Sequence, residues 1–200
     1  MSMGLFIAGT GTDVGKSYTA AFFLSFFKET KWKLLYYKPI QCGKPGDTAF
    51  IKKIVKHKDV ACTYSLKTPG SPHFAFEKEK IKFNRKAIRS FLAEAKRKYD
   101  FILMEGAGGL RVPIAPGFDM ADLAKLSGFE VLLVASPKLG TINHTLLSID
   151  YLKSKKIKIR GFIYSWTEGV DFNSEIVLDS IKTIEKISRV PYCGALPKLS

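Results

Sequence analysis

The sequence predicts a single three-layer α/β domain, with a mostly parallel sheet covered by helices on both faces. Continuous apolar runs, typical of buried parallel strands, alternate along the chain with segments of helical periodicity. The 200 residues are 46% hydrophobic and 25% charged, a composition that suits one globular domain with a sizeable core. Because no repeat, low-complexity tract or linker interrupts this order, we expect one domain over residues 1–200.

Short apolar runs predict the strands, and longer segments between them predict the helices. The predicted strands span 5–8, 34–37, 101–104, 131–135, 162–164 and 192–196. The predicted helices span 17–29, 47–57, 84–98, 119–127, 141–155 and 173–188. Asn84 and Asp119 stand where a side chain can cap a helix N-terminus. Residues 58–83, which contain Pro69-Gly70 and Ser71-Pro72, predict one long surface excursion between helices.

The net charge of +14 and the pI near 9.7 raise the possibility of nucleic-acid binding. The lysines are scattered at helix ends and beside loops, and no basic motif is interleaved with aromatic residues. We therefore expect no nucleic-acid partner and favour an anionic substrate. No apolar run has the length of a membrane span, and the first strand begins too early for a signal peptide. Three cysteines without metal-ligand spacing favour a reduced, cytoplasmic compartment.

A phosphate-binding loop follows the first predicted strand. Residues 9–17 read Gly-Thr-Gly-Thr-Asp-Val-Gly-Lys-Ser, and a helix-like segment begins there. Glycines allow backbone N–H groups to converge on phosphate oxygens, Lys16 can neutralise β- and γ-phosphates, and the Ser17 hydroxyl can bind Mg²⁺. Five residues separate Gly9 from Gly15, instead of the four of the strict pattern, so an ordinary strand-to-helix turn stays an alternative. The favoured prediction is a P-loop NTPase-like nucleotide site.

Further polar residues follow the other predicted strands. Ligands of parallel sheets bind at the carboxyl ends of the strands, and the most informative residues fall there. They are Lys38-Pro39, Glu105-Gly106-Ala107-Gly108-Gly109, Ser136-Pro137-Lys138-Leu139-Gly140 and Tyr164-Ser165.

Several motifs together point to one family. They are Gly-Thr-Gly-Thr-Asp-Val-Gly-Lys-Ser (9–17), Tyr-Lys-Pro-Ile-Gln-Cys-Gly (37–43), Gly-Asp-Thr-Ala (46–49), Ser-Pro-His (71–73), Glu-Gly-Ala-Gly-Gly (105–109) and Lys-Leu-Gly-Thr-Ile-Asn-His (138–144). In this combination the chain resembles the dethiobiotin synthetase family, from the first strand to about residue 197. The resemblance implies a cytoplasmic, homodimeric ligase of biotin biosynthesis. Such an enzyme uses ATP and Mg²⁺ to close a ureido ring on 7,8-diaminononanoate with CO₂, through a carbamate and its mixed anhydride with phosphate.

The resemblance also implies roles for individual residues. Lys16 and Lys38 match the catalytic lysines, although Lys38 has the alternative of an ordinary surface lysine. The implied Mg²⁺ ligands are Ser17, Asp47 and Glu105, and Asp47 has the alternative of a helix N-cap. The implied nucleotide contacts are Asp13, Val14, Gly15, Lys16, Ser17, Tyr18, Asp47, Glu105, Gly106, Ala107, Gly108, Ser165, Leu196, Pro197 and Lys198.

The implied substrate contacts are Thr12, Lys38, Cys42, Thr141, Ile142 and Asn143. The last three belong to a helix start that, in the family, binds the substrate carboxylate from the other subunit of a dimer. Thr141 has the alternative of an N-capping residue. Two positions depart from the family pattern: Cys42 replaces a serine, and Ser165-Trp166 replaces an Asn-Asp-like pair that reads adenine.

Two other functions stay open at this point. The first is a regulatory P-loop ATPase of the partitioning type, which normally carries a second lysine inside the phosphate loop. No lysine precedes Lys16 in this loop. The second is a nucleotide-binding relative that has lost catalysis, for which the residues at Cys42 and Ser165 are the argument.

Overall fold

The computed structural model describes residues 3–165 and 170–197. Its strands are β1 (Met3–Gly9), β2 (Leu34–Cys42), β3 (Val60–Leu66), β4 (Phe101–Gly109), β5 (Pro113–Ala115), β6 (Phe118–Asp119), β7 (Glu130–Ala135), β8 (Ile159–Ser165) and β9 (Tyr192–Leu196). Its helices are α1 (Lys16–Phe26), α2 (Asp47–Ile54), α3 (Pro72–Lys78), α4 (Arg85–Lys98), α5 (Met120–Ser127), α6 (Thr141–Ser154) and α7 (Glu175–Ser188).

A seven-stranded sheet in the order β3-β2-β4-β1-β7-β8-β9 forms the middle layer, and every neighbouring pair in it is parallel. Alternation along each strand sends successive side chains to opposite faces. Phe6 accordingly joins one apolar cluster and Ile7 the other. These two clusters form the interfaces between the sheet and its helical layers, which confirms the predicted three-layer α/β fold.

The prediction for residues 58–83 was wrong. This segment contains β3, which pairs in parallel with β2 at the edge of the sheet, and the short helix α3. As an edge strand, β3 is mostly half-buried and lacks the continuous apolar run of a central strand. Its aromatic residue Tyr64 packs against Phe76 and Phe83, which attaches the segment to the core.

β2 and β4 extend well beyond their predicted ends, and this changes the setting of the site. β2 continues to Cys42 and β4 to Gly109, so Lys38 and Glu105 lie within strands rather than after them. The capping predictions for Asn84 and Asp119 are confirmed: Asn84 accepts a hydrogen bond from the Lys86 N–H, and Asp119 forms a capping box with Asp122. Within the described residues, no helix has both the length and the apolar character needed to cross a membrane.

Candidate active site

The phosphate loop connects β1 to α1, and its backbone conformation requires glycine at Gly15. Gly15 has a φ of 93°, in the left-handed region that side chains disfavour. A Cβ atom at this position would also lie 2.0 Å from the Ser165 Oγ atom. The Lys16 side chain folds back over the loop and donates to the Gly11 carbonyl oxygen at 2.7 Å. Burial, together with the positive charge of Lys38, lowers the pKa of Lys16 to about 8.

Ser17 stands between two carboxylates. Its Oγ atom lies 2.6 Å from Asp47 Oδ1 and 2.8 Å from Glu105 Oε1. A hydroxyl has one hydrogen and ionised carboxylates only accept, so one of these two contacts has no hydrogen to share. A cation among the three oxygens would resolve this, which makes the cluster chemically suited to a hard divalent ion.

Lys38 is buried among the same groups. Its Nζ atom lies 2.7 Å from Asp47 Oδ2 and 2.7 Å from Glu105 Oε1, and donates to the Gly106 carbonyl oxygen at 2.8 Å. Burial lowers the pKa of Lys38, but the two carboxylates outweigh it and raise the pKa above its usual value. For Asp47, burial raises the pKa, and the charge of Lys38 and hydrogen bonds from Lys38 and Ser17 reverse the effect. With 2% of its surface exposed, Lys38 is not a surface lysine.

These residues open onto one cleft of about 1060 Å³. The predicted site residues that line it are Thr12, Asp13, Gly15, Lys16, Ser17, Tyr18, Lys38, Cys42, Asp47, Glu105, Ala107 and Gly108. No site role was assigned from the sequence to the other lining residues, which are Gln41, Pro45, Gly46, Ala49, Phe50, Lys53, Gly70, Ser71, Pro72 and Val112. Several of them belong to α2 and to the segment that leads into α3.

Gln41 and Tyr36 are further site residues to which the sequence analysis assigned no role. The Gln41 side-chain oxygen accepts from the Thr48 N–H and hydroxyl and so ties β2 to the start of α2. The Tyr36 hydroxyl donates to Glu105 Oε2 at 2.8 Å, and burial together with the negative charge of Glu105 raises its pKa. A usable signal was present for Tyr36, because strand alternation places it on the same face of β2 as Lys38.

The remaining predicted nucleotide contacts lie at the edge of this arrangement. Ser165 is fully buried beneath Gly15, and Leu196 is buried at the end of β9. The Tyr18 hydroxyl donates to the Pro197 carbonyl oxygen, which brings the chain after β9 beside α1. Gly106 contributes its carbonyl to Lys38, and Val14 packs against an apolar cluster. Lys198 and Trp166 lie outside the described residues.

Thr141, Ile142 and Asn143 form the first turn of α6 and are not among the described residues that line the cleft. The N-cap of α6 is Gly140 and that of α2 is Gly46, so neither Thr141 nor Asp47 is a capping residue. Asp47 instead lies in the first turn of α2, where the helix dipole favours a negative charge.

The described residues contain no group of three or more His, Cys, Asp or Glu side chains suited to a metal ion. Ser17, Asp47 and Glu105 offer one hydroxyl and two carboxylates. Mg²⁺ commonly takes few protein ligands and completes its shell with water and phosphate oxygens.

A parallel sheet whose first strand leads through a glycine-rich loop into a helix starting with Lys16-Ser17 defines a P-loop NTPase. Solved structures of this class share the fold. A ParA-family ATPase from Chlorobium tepidum has a TM-score of 0.63 at 14% identity, covering 100% of this chain and 86% of its own. The septum site-determining protein MinD of Pyrococcus horikoshii has a TM-score of 0.60 at 16% identity, and the match covers 98% of this chain and 82% of MinD.

Sequence comparison identifies one family within the P-loop NTPases. A family model described as an AAA domain matches residues 3–200. The ATP-dependent dethiobiotin synthetase of Anoxybacillus flavithermus is 35% identical over 98% of this chain and 92% of its own. The ATP-dependent dethiobiotin synthetase of Methanocaldococcus jannaschii is 36% identical over 95% of this chain and 92% of its own. The chain belongs to the dethiobiotin synthetase family.

Proposed function

We propose that the chain is an ATP-dependent ligase of biotin biosynthesis that forms dethiobiotin from 7,8-diaminononanoate and CO₂. The observation that carries the proposal is the convergence of two buried lysines, Lys16 and Lys38, on the Ser17–Asp47–Glu105 cluster in one cleft. An anionic phosphoryl acceptor beside a triphosphate needs such a set of cations. Family membership supports the use of ATP and the product.

The reaction needs two C–N bonds to one carbon. One amine of the substrate adds to CO₂ and loses a proton, which gives a carbamate. A carbamate oxygen attacks the γ-phosphorus of ATP, and ADP leaves. The second amine then attacks the carbonyl carbon, phosphate leaves, and loss of a proton completes the ring. Lys16 compensates charge on the β- and γ-phosphates, and Lys38 orients the carbamate and stabilises the transferring phosphoryl group.

We assign substrate contacts to Thr12 and Cys42, which line the same cleft.

We assign Mg²⁺ to Ser17, Asp47 and Glu105, because their hard oxygens converge and the single Ser17 hydrogen cannot serve both carboxylates. When bound, the ion supplies positive charge that offsets the charge on the ATP phosphates. Lys38 contacts both carboxylates at 2.7 Å and lines the same cleft, so its positive charge lies next to the site assigned to the ion.

Replacing either carboxylate is expected to raise the Mg²⁺ concentration that gives half-maximal activity by about tenfold or more. Asp47→Asn and Glu105→Gln each keep the side-chain volume but remove a charged oxygen from the ion. Titrating Mg²⁺ against the initial rate at fixed ATP measures the effect. Asp122→Asn, in a separate cluster with Asp119 and Lys155, is the control and should leave the titration unchanged. An unaltered Mg²⁺ requirement in both site variants would assign Asp47 and Glu105 purely structural roles.

We further propose that the enzyme acts in the cytoplasm as a homodimer, in which the start of α6 binds the carboxylate of the substrate in the other subunit. Leu139 is 95% exposed and Leu147 62% exposed on either side of this helix start, and a second subunit would cover them. The Thr141 hydroxyl is buried without a hydrogen-bond partner among the described residues. A helix N-terminus also favours an anion such as the carboxylate.

Light scattering should therefore report twice the chain mass at concentrations where the enzyme is active. Leu147→Glu should shift the protein towards monomer and raise the KM for the diamine, because a buried charge weakens the interface and separates the two halves of the site. Leu178→Glu, at an exposed leucine of α7, is the control. A wild-type protein that is monomeric and active would overturn the dimer.

ADP release tests the proposed reaction against its alternatives. We expect ADP release to depend on both 7,8-diaminononanoate and bicarbonate, without any requirement for DNA or a membrane. A partitioning-type ATPase would hydrolyse ATP without the diamine, and a catalytically inactive relative would release no ADP. The full-length sequence relationship favours the synthetase, whereas similarity to ParA and MinD below 17% identity reports the fold alone.

A further inference from the structure

Tyr36 contacts the candidate metal site from inside the protein. It lies on β2, is 0% exposed, and its hydroxyl donates to Glu105 Oε2 at 2.8 Å. Glu105, on β4, is also 0% exposed. Tyr36 does not line the cleft, so it cannot touch the substrate or the nucleotide there, and any effect of its hydroxyl reaches the site through Glu105.

The two oxygens of Glu105 face different partners. Oε1 lies 2.7 Å from Lys38 Nζ and 2.8 Å from Ser17 Oγ, on the side of the phosphate loop. Oε2 receives the Tyr36 hydroxyl. A hydrogen bond to a carboxylate in a buried setting is strong and directional, so it fixes how the carboxylate is rotated. Tyr36 therefore holds Oε2 towards the interior and leaves Oε1 towards the cluster.

This division matters because divalent cations differ in how they use carboxylates. Mg²⁺ requires near-ideal octahedral geometry at short distances and usually takes one oxygen from each carboxylate. Ca²⁺ accepts more ligands at longer distances and readily binds both oxygens of one carboxylate. A glutamate that offers a single oxygen consequently favours the smaller ion.

We propose that Tyr36 is a positioning residue that restricts Glu105 to one metal-facing oxygen and thereby makes the site select Mg²⁺ over Ca²⁺. The proposal rests on the assignment of Glu105 as a metal ligand. It predicts that loss of the Tyr36 hydroxyl frees Oε2, so that Ca²⁺ gains a ligand while Mg²⁺ loses a fixed one.

Two neighbouring tyrosines provide a matched pair of variants. Tyr36→Phe removes one buried hydroxyl next to Glu105. Tyr37→Phe removes one equally buried hydroxyl on the opposite face of β2, where it contacts Thr63 Oγ1 at 2.5 Å. Both variants keep the aromatic ring and its packing, so a general loosening of the core would appear in both.

The experiment measures binding of Mn²⁺ by electron paramagnetic resonance, with the protein saturated with ADP, followed by displacement with Mg²⁺ and with Ca²⁺. ADP contributes equally in all the proteins, so differences between them report on the protein ligands. The ratio of the Ca²⁺ to the Mg²⁺ dissociation constant should fall about tenfold in Tyr36→Phe, on the scale of one hydrogen bond to a charged group. It should stay at the wild-type value in Tyr37→Phe.

Three results would overturn the proposal, each for a different reason. An unchanged ratio in Tyr36→Phe would show that its hydroxyl does not set metal selectivity. Equal changes in both variants would show a packing effect of β2 rather than a role for Glu105 Oε2. The third result concerns the wild type: a complex with ADP that binds Mn²⁺ no more tightly than ADP does alone. That result would overturn the metal site itself, and with it this proposal.

Discussion

Lys38→Ala is expected to lower kcat by about a thousandfold or more, on the scale of losing a preorganised charge at the reacting phosphoryl group. All three donor positions of this ammonium are used, by Asp47, Glu105 and the Gly106 carbonyl oxygen. In the proposed reaction the same cation stands where the carbamate meets ATP. No other lysine contacts both carboxylates in the described part of the chain.

Stability gives a second readout for this variant. Removing Lys38 leaves the fully buried Glu105 without its ion-pair partner and, among the described residues, with hydrogen bonds only from Ser17 and Tyr36, and this destabilises the fold. Mg²⁺ restores the missing positive charge, so it should raise the Tm of Lys38→Ala more than that of the wild type. Lys52→Ala, at an exposed lysine of α2, is the charge-matched control. Near-normal turnover of a folded Lys38→Ala protein would contradict the proposed mechanism.

Lys16→Ala is expected to weaken ATP binding and to lower kcat by about a thousandfold, because the loop lysine compensates charge that grows during phosphoryl transfer. Lys16 is 7% exposed, and its ammonium donates to the Gly11 carbonyl oxygen of the loop at 2.7 Å. Calorimetric titration with ATP and steady-state kinetics separate the two effects.

Lys16→Arg should not restore activity, since the larger guanidinium group does not fit the position that the ammonium occupies within the loop. Lys28→Ala, just beyond the C-terminal end of α1 and exposed, removes the same charge and should behave as the wild type. Unchanged ATP affinity together with unchanged kcat in Lys16→Ala would remove the basis for treating residues 9–17 as a phosphate loop.

The sequence was sufficient for the central sheet because its strands are continuous apolar runs. β3 was missed for the opposite reason: an edge strand with half-buried residues resembles a loop in composition. The extension of β2 through Lys38 was missed because Lys38, Pro39 and Gln41 interrupt the apolar run, although the strand stays buried as far as Gln41.

Lys38 and Glu105 were expected near the phosphate loop because parallel strands bring their carboxyl ends to one edge, and Asp47 was implied by the family resemblance. The pairing of Tyr36 with Glu105 depends on side-chain rotation within the core, which spacing along the chain does not encode. Ser71 and Pro72 were noted in a motif, but their place in the cleft was not predicted because the segment around them was interpreted as a surface loop.

The central claim is that ATP drives the insertion of a CO₂ carbon between the two amines of 7,8-diaminononanoate. Incubation of the protein with ATP, Mg²⁺, the diamine and ¹³C-bicarbonate tests it most directly, with the product analysed by mass spectrometry. We predict dethiobiotin that carries one ¹³C atom in its ureido group, formed in a one-to-one ratio with ADP and absent without ATP. ADP formed without any labelled dethiobiotin would contradict the account.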